Sequence, residues 1–525
     1  MKTIKNKILG IIVLTLCLSS CDKYLDTQPD NRAELDTEVK IKKLLVSAYP
    51  TTPYLMVAEF SSDNLDDYGN LNPNSSRLLT QTFNWEAITE KDNESPDAVW
   101  QSCYAAIASA NEALYAFEEM GSQSLYLKGE ALVARAYAHF ILVNLFSQHY
   151  SKTYGDKDLG ITYMLAPEKT LSPVYKRNTV KEVYDYIVKD IEEGLPLIDD
   201  TQYTVPKYHF NKAAANAFAA RVHLYMGNWE KAISYATASI GEDPTQLLRN
   251  NAQIRSAGAA AGGEVINFSR AYTQSSEKAN LLMSNGNSNM GLYFGPFYLG
   301  SRYSHGGYIC NTETFLSKTP WGFTTAQNYA LPMLVYSATN LDKNLVGRVT
   351  YEIQYTDPVA QIGFRKAVYV PFTSDETLLT RAEAKVMLNQ FDEAFADINL
   401  WRKNFVRNPT DNFNADTINN WADSLAYHTP LAPTAKKKLN PDFKVESGRQ
   451  ENFIHAILFM RRLETMHVGL RWFDVKRYGI EVQRRVVQSG APSLSNTKLL
   501  AVRDNRRAIQ LPISVIGAGA VANPR

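Results

Sequence analysis

Two stretches of this chain, AAANAFAARVHLYMGNWEKAISYATASIGEDP and LLTRAEAKVMLNQFDEAFADINLWR, carry the same spacing of small and aromatic residues. In the first, Ala220, Gly227, Trp229, Ala232 and Pro244 fall where a tetratricopeptide repeat places a small residue, a turn, an aromatic, a second small residue and a terminating proline. Ala382, Asn389, Phe391 and Ala394 repeat that spacing in the second. A helical pair of this kind cannot bury its apolar face alone, so it must stack on other helices. Because the two units lie 162 positions apart, they predict a helical-repeat scaffold interrupted by large insertions, not a tandem array.

More helices are predicted by periodicity. TVKEVYDYIVKDIEEGL gathers Val180, Val183, Tyr184, Ile187, Val188, Ile191 and Leu195 on one face, and Thr179 with Glu182 forms a capping box at its start. YLKGEALVARAYAHFILVNLF places alanines at 131, 134, 136 and 138, which lets another helix approach its backbone closely. AVWQSCYAAIASANEALYAFEEM gives an early helix, in which Cys103 reads as a small core residue, and FIHAILFMRRLETMHVGLRWFDVKRYG gives a late one. Residues 250–370, rich in Gly, Asn, Ser and Tyr, read as loops and short strands, and 405–450 as a second long excursion. The fold class is therefore mostly α, with tetratricopeptide-like helical pairs and long irregular insertions. Binding function concentrates on such loops when a rigid scaffold holds them.

The N-terminus is organised for export. Lys2, Lys5 and Lys7 precede an apolar run from Ile8 to Leu18 that is too short to span a membrane, which is the layout of a signal peptide. Leu18-Ser19-Ser20-Cys21 has the form of a lipobox, so Cys21 is the expected lipid attachment point. The chain divides accordingly into a signal peptide at 1–20, a lipidated tether at 21–38 and one domain at 39–525. Removing residues 1–20 takes away three lysines and no acid, leaving a formal charge of about −2 in place of +1. That balance argues against a nucleic-acid partner.

No motif assembles an enzyme. Ser275-Ser276-Glu277-Lys278 spells S-x-x-K and Ser62-Asp63-Asn64 spells S-D-N, but their order is the reverse of the penicillin-interacting enzymes and no K-T-G comes after them. The eight histidines show neither H-E-x-x-H nor any carboxylate spacing for zinc, and no cofactor motif stands out. Arg461, Arg462, Glu464, Arg471, Asp474, Lys476 and Arg477 interleave both signs of charge and read as a structural network of ion pairs. Lys436, Lys437 and Lys438 read as solvated loop charge.

End to end, the chain resembles the SusD/RagB family, the lipid-anchored nutrient-binding proteins of Bacteroidetes outer membranes. The resembling elements are the lipobox with CDKYLDTQP, then AVWQSCYAAIASAN, KGEALVARAYAHFILVNLF with DLGITYM after it, RNTVKEVYDYIVKDIEEGL, AARVHLYMGNWEKAISYA, MRRLETMHVGLRWFDVKRYG and the terminal LPISVIGAGAVANPR. In ETMHVGLRWFD the chain has His467 and Val468 where many relatives carry an acid beside the glycine. The resemblance implies one mostly helical domain with four tetratricopeptide-like pairs and a more irregular region that supplies the ligand surface. It also implies a lid on a TonB-dependent, SusC-like outer-membrane transporter, facing the cell exterior. Such proteins capture oligosaccharides, or in some members peptides, and perform no chemistry. Their repeat helices face the transporter.

A sugar ring presents a face of C–H groups and a rim of hydroxyls, so a glycan site needs flat aromatic surface with a few polar groups to orient it. Tyr293, Phe297, Tyr298, Arg302 and Trp321 in the first insertion are candidates for such a platform. The N-terminal loop adds Asp66, Asp67, Tyr68 and Trp85, in a region where the family also places ligand contacts.

Overall fold

The computed structural model describes residues 35–170, 175–322, 325–338, 341–494 and 497–525. The signal peptide and Cys21 lie outside the described residues.

Helices in pairs build the scaffold. Pro96–Glu119 and Leu125–Phe146 are joined by a short turn and packed side by side. The second of these is buried over nearly its whole length, and its alanines at 131, 134, 136 and 138 are closed to solvent. Small side chains there allow the expected close approach: a Cβ built on Gly129 would stand 2.8 Å from the Gly194 carbonyl of the Val180–Gly194 helix. That last helix opens on the predicted capping box, with the Glu182 amide donating to Thr179 Oγ1 at 3.2 Å and the Thr179 amide to Glu182 Oε2 at 2.8 Å.

The two repeat units become neighbours in space. Lys212–Met226 pairs with Trp229–Ile240, and Ser374–Met387 with Phe391–Phe405. Helix Trp229–Ile240 packs directly on Ser374–Met387, so the 250–370 insertion leaves the scaffold and returns to it. Each turn between paired helices needs one left-handed residue, supplied by Gly227 at φ 68° and by Asn389 at φ 61°. Glycine adopts this conformation freely and asparagine is among the few others that tolerate it.

The insertions hold more regular structure than loops and short strands. Residues 250–370 contain the helices Asn251–Ala260 and Val265–Tyr272, and strand Asn280–Asn287 pairs antiparallel with the twelve-residue strand Ile362–Thr373. Helix Ala415–Ser424 interrupts the second excursion, with Asn414 and Thr417 forming its capping box.

The single late helix is two. Arg449–Glu464 ends, and Leu470–Arg477 begins after His467 at φ 70° and Gly469 at φ 76°. Glu59 explains the break, because its buried carboxylate accepts from the His467 amide at 3.0 Å and the Gly469 amide at 3.1 Å. Burial pushes the Glu59 carboxyl up to about 7 in spite of these bonds. A carboxyl raised on folding binds its proton more tightly in the native state, so its contribution to stability falls as pH rises from about 4.5 to about 7. Glu59→Gln is therefore expected to gain on the wild type through that window, by on the order of 2–3 kcal/mol above it. Denaturant unfolding of both proteins at pH values on either side of the window checks this; parallel curves would contradict it.

Three distant parts of the sequence meet in one small sheet. Asp66–Asp67 pairs antiparallel with Tyr303–Ser304 and parallel with Val486–Gln488, which in turn pairs with Ala491–Ser493.

Candidate functional site

The sheet places Asp67 and Arg302 on adjoining strand ends, where Arg302 grips the carboxylate with two parallel bonds of 2.9 and 2.8 Å. Asp67 also accepts from the Gly69 amide at 2.8 Å. Asp66 points inward to Arg485, at 2.8 and 3.1 Å, and Arg485 reaches Glu313 at 2.6 Å. Tyr68 is buried, and its backbone amide donates to the Arg302 carbonyl at 2.7 Å. Desolvation holds the Tyr68 phenol well above its usual range. Beside these groups opens a polar cavity of about 270 Å³, lined by Asp67, Asn70, Arg302, Arg484, Arg485 and Gln488 among others.

The aromatic loop of the first insertion reaches this cavity through Arg302, while Tyr293, Phe297 and Tyr298 are not among the residues that line it. Asn74 ties the loop down, its amide donating to the Gly300 carbonyl at 3.2 Å and its carbonyl accepting from the Arg302 amide at 3.1 Å. Tyr293, Phe297 and Tyr298 are all half-buried. The Tyr293 and Tyr298 rings meet edge to face with centroids 5.2 Å apart, and Phe297 leans on Tyr351 at 4.8 Å. Tyr298 has φ 45°, a left-handed conformation that is strained for a bulky residue and persists only where the surroundings impose it. Ser301 Oγ donates to its carbonyl at 2.6 Å. From below, the buried Lys343 ammonium donates to the carbonyls of Phe297 at 2.9 Å and Gly295 at 3.1 Å. Burial pushes this ammonium down to about 7.

The two tryptophans are placed differently. Trp85, 6% exposed, donates from Nε1 to the Ser61 carbonyl at 2.8 Å and lies against the Arg484 guanidinium at 4.2 Å, so it backs a cavity-lining residue and does not itself line the cavity. Trp321, 7% exposed, packs between Trp401 and Phe459 at 6.1 and 5.9 Å in the helical core. Asp66, Asp67, Tyr68, Trp85 and Arg302 are thus brought together at the sheet, Tyr293, Phe297 and Tyr298 lie on the adjoining loop, and Trp321 stands apart. Sequence reasoning misses Arg484, Arg485 and Gln488. The signal available is a pair of arginines inside the apolar run of Val482, Val486 and Val487.

The late cluster of charges is structural. Arg461 bonds Asp474 at 3.1 Å and Glu376 at 3.3 Å, Arg477 bonds Glu383 at 2.9 Å, and Arg471 holds Asp63 at 2.7 and 2.8 Å. Ser62-Asp63-Asn64 is absorbed into the same network, with Asn64 Oδ1 accepting from Arg462 at 2.9 Å. Lys437 is not a solvated loop charge: it is buried, 2.6 Å from Glu313, drawn in by that carboxylate and by Asp63 at 3.6 Å. Lys436 is buried beside it. Among the described residues no group of His, Cys, Asp and Glu is arranged to hold a metal ion, and no helix is long and apolar enough to cross a membrane.

Comparison with known proteins agrees with this architecture. Residues 23–224 match the SusD-like family described as starch-binding and associating with the outer membrane, and residues 375–507 match the SusD family. Over 271 residues the chain is 27% identical to SusD-like protein P38 of Formosa agariphila, a stretch that covers 49% of each protein. The chain thus spans about half the length of that curated relative. Among solved structures, a SusD superfamily protein from Bacteroides thetaiotaomicron is 18% identical and superposes with a TM-score of 0.61, covering 93% of this chain and 99% of that one. A SusD-like carbohydrate binding protein from Bacteroides vulgatus is 16% identical with a TM-score of 0.60, covering 91% and 96%. These two likenesses establish the fold. The SusD-like model over residues 23–224 and the SusD model over residues 375–507 together match more than half of the chain, which belongs to the SusD/RagB family.

Proposed function

We propose that the chain is a nutrient-binding lipoprotein, tethered by lipid on Cys21 to the outer membrane and facing outward. In this reading it captures an oligosaccharide and passes it to a SusC-like TonB-dependent transporter without altering it. The observation that carries the reading is a polar cavity with a paired Asp67 and Arg302 in its wall, connected through Arg302 to the loop that bears the half-buried Tyr293, Phe297 and Tyr298. An aromatic ring offers stacking area to the C–H face of a sugar, and the polar groups orient its hydroxyls. Family membership supports the same role: the SusD-like family matched over residues 23–224 is described as starch-binding, and the Bacteroides vulgatus structure as a carbohydrate binding protein.

Affinity electrophoresis against a panel of polysaccharides identifies a ligand, and Tyr298→Ala then tests the site. An aromatic anchor in a polar site carries on the order of 2 kcal/mol or more of binding energy, so the variant is expected to bind at least about tenfold more weakly with its melting temperature nearly unchanged. Unaltered affinity in both Tyr298→Ala and Phe297→Ala would remove the loop from the site.

A further inference from the structure

Three arginines line the polar cavity, and their counter-charges are unequal. Arg302 is matched by Asp67 through the two-point pair of 2.9 and 2.8 Å. Arg485 is matched twice, by Asp66 at 2.8 Å and by Glu313 at 2.6 Å. Arg484 makes no ion pair with any carboxylate among the described residues. Its Nε donates to the Phe83 carbonyl at 2.6 Å, Nη1 to that of Ser62 at 2.6 Å and Nη2 to that of Phe60 at 2.8 Å. The rings of Phe83 and Trp85 flank its guanidinium at 3.8 and 4.2 Å.

Backbone carbonyls satisfy N–H groups but bring no net charge, so the cavity wall keeps an excess of positive charge. The network behind it does not cancel that excess, because Asp63 and Glu313 are already shared among Lys437, Arg462, Arg471 and Arg485. Burial pushes the Arg484 guanidinium down to about 9, with Asp63 and Asp66 acting on it from further off. A desolvated cation without a counter-ion is costly, and an anion entering the cavity offsets that cost. Asn70, Asn84, Gln488 and Thr497 complete the lining with amide and hydroxyl groups. Beyond Phe83 and Val486 there is little apolar surface, which suits a hydroxylated ring better than peptide side chains.

We propose that the ligand of this site is an acidic oligosaccharide, whose carboxylate or sulfate group enters the cavity beside Arg302 and Arg484. This rests on the reading of the chain as a glycan-binding protein and adds the charge of the glycan. Ionic hydrogen bonds to a guanidinium are stronger than neutral ones, and Arg302 is the more exposed of the two donors, with 29% of its side chain open.

The test is calorimetric titration of the mature chain with hexagalacturonate, with the same hexasaccharide after carboxyl reduction, with a sulfated hexasaccharide and with an acidic peptide. Either acidic sugar is expected to bind at least about tenfold more tightly than the carboxyl-reduced one at low ionic strength, with the gap closing as salt screens the charge. Whichever of the uronate and the sulfated sugar binds better identifies the source of the anionic group. Arg484→Met addresses the cation directly, but it also releases the Phe60–Ser62 carbonyls and can unfold the turn. Gln488→Glu puts a negative charge on an exposed rim residue instead, and is expected to widen the loss for the acidic sugar relative to the reduced one by about fivefold or more. Equal affinity for the acidic and reduced sugars overturns this proposal and leaves glycan binding standing. Binding of the peptide in preference to every sugar, or of none of the probes, overturns it as well, and the first of these overturns the glycan reading with it.

Discussion

Glu313→Ala is expected to lower stability by about 3–5 kcal/mol, the cost of breaking a buried ion pair by removing one partner. Glu313 is 1% exposed and serves three cations at once: Lys437 at 2.6 Å, Arg462 at 3.0 Å and Arg485 at 2.6 Å. Without it all three of these buried cations lose a counter-ion. These cations hold its carboxyl well below the usual carboxylate range, so the stability it confers is present above that range and is lost as pH falls through its folded value. Denaturant midpoints at neutral pH read the loss, and a wild-type midpoint for the variant would show the network to be dispensable. Glu313→Gln keeps the shape and separates charge from volume; it is expected to recover only part of the deficit.

Trp321→Ala is expected to cost about 3–5 kcal/mol as well, through a different mechanism. Its ring fills space between Trp401 and Phe459, at 6.1 and 5.9 Å, and Trp401 stacks in turn on Phe405 at 4.4 Å. Truncation leaves a cavity in a layer that has no room to collapse. The contrast with Tyr298→Ala is the useful one: the core tryptophan should lose stability, the loop tyrosine should lose binding. Thermal melts of the two variants side by side decide it, and a Trp321→Ala protein that melts like the wild type would return this residue to the ligand surface.

The scaffold is readable in the sequence because its signals are local. A helix announces itself within a few turns, as the capping box of Thr179 and Glu182 does, and Asn389 matches Gly227 because a turn between paired helices makes the same backbone demand at both. Breaks that depend on a distant partner are not readable. The late helix divides because Glu59, some four hundred residues earlier, caps the amides of His467 and Gly469. The site is legible in part for the same reason. Residue type alone points to Asp67 and Arg302, but the pairing of Asp67 with Val486 rests on strands of two and three residues that have no periodicity to detect. Loop composition also misjudges burial: Trp85 lies in a polar stretch yet sits against Arg484, and Lys437 lies in a run of lysines yet sits beside Glu313.

The protein's central property, on this reading, is that it binds a glycan and leaves it intact. Titration of the purified mature protein with the oligosaccharide that retards it in affinity electrophoresis, and then mass analysis of the recovered sugar, tests this most directly. Saturable binding and a recovered sugar of unchanged length are expected, because Asp67, the carboxylate that lines the cavity, is held in a two-point pair with Arg302. Release of new reducing ends by the pure protein would contradict it.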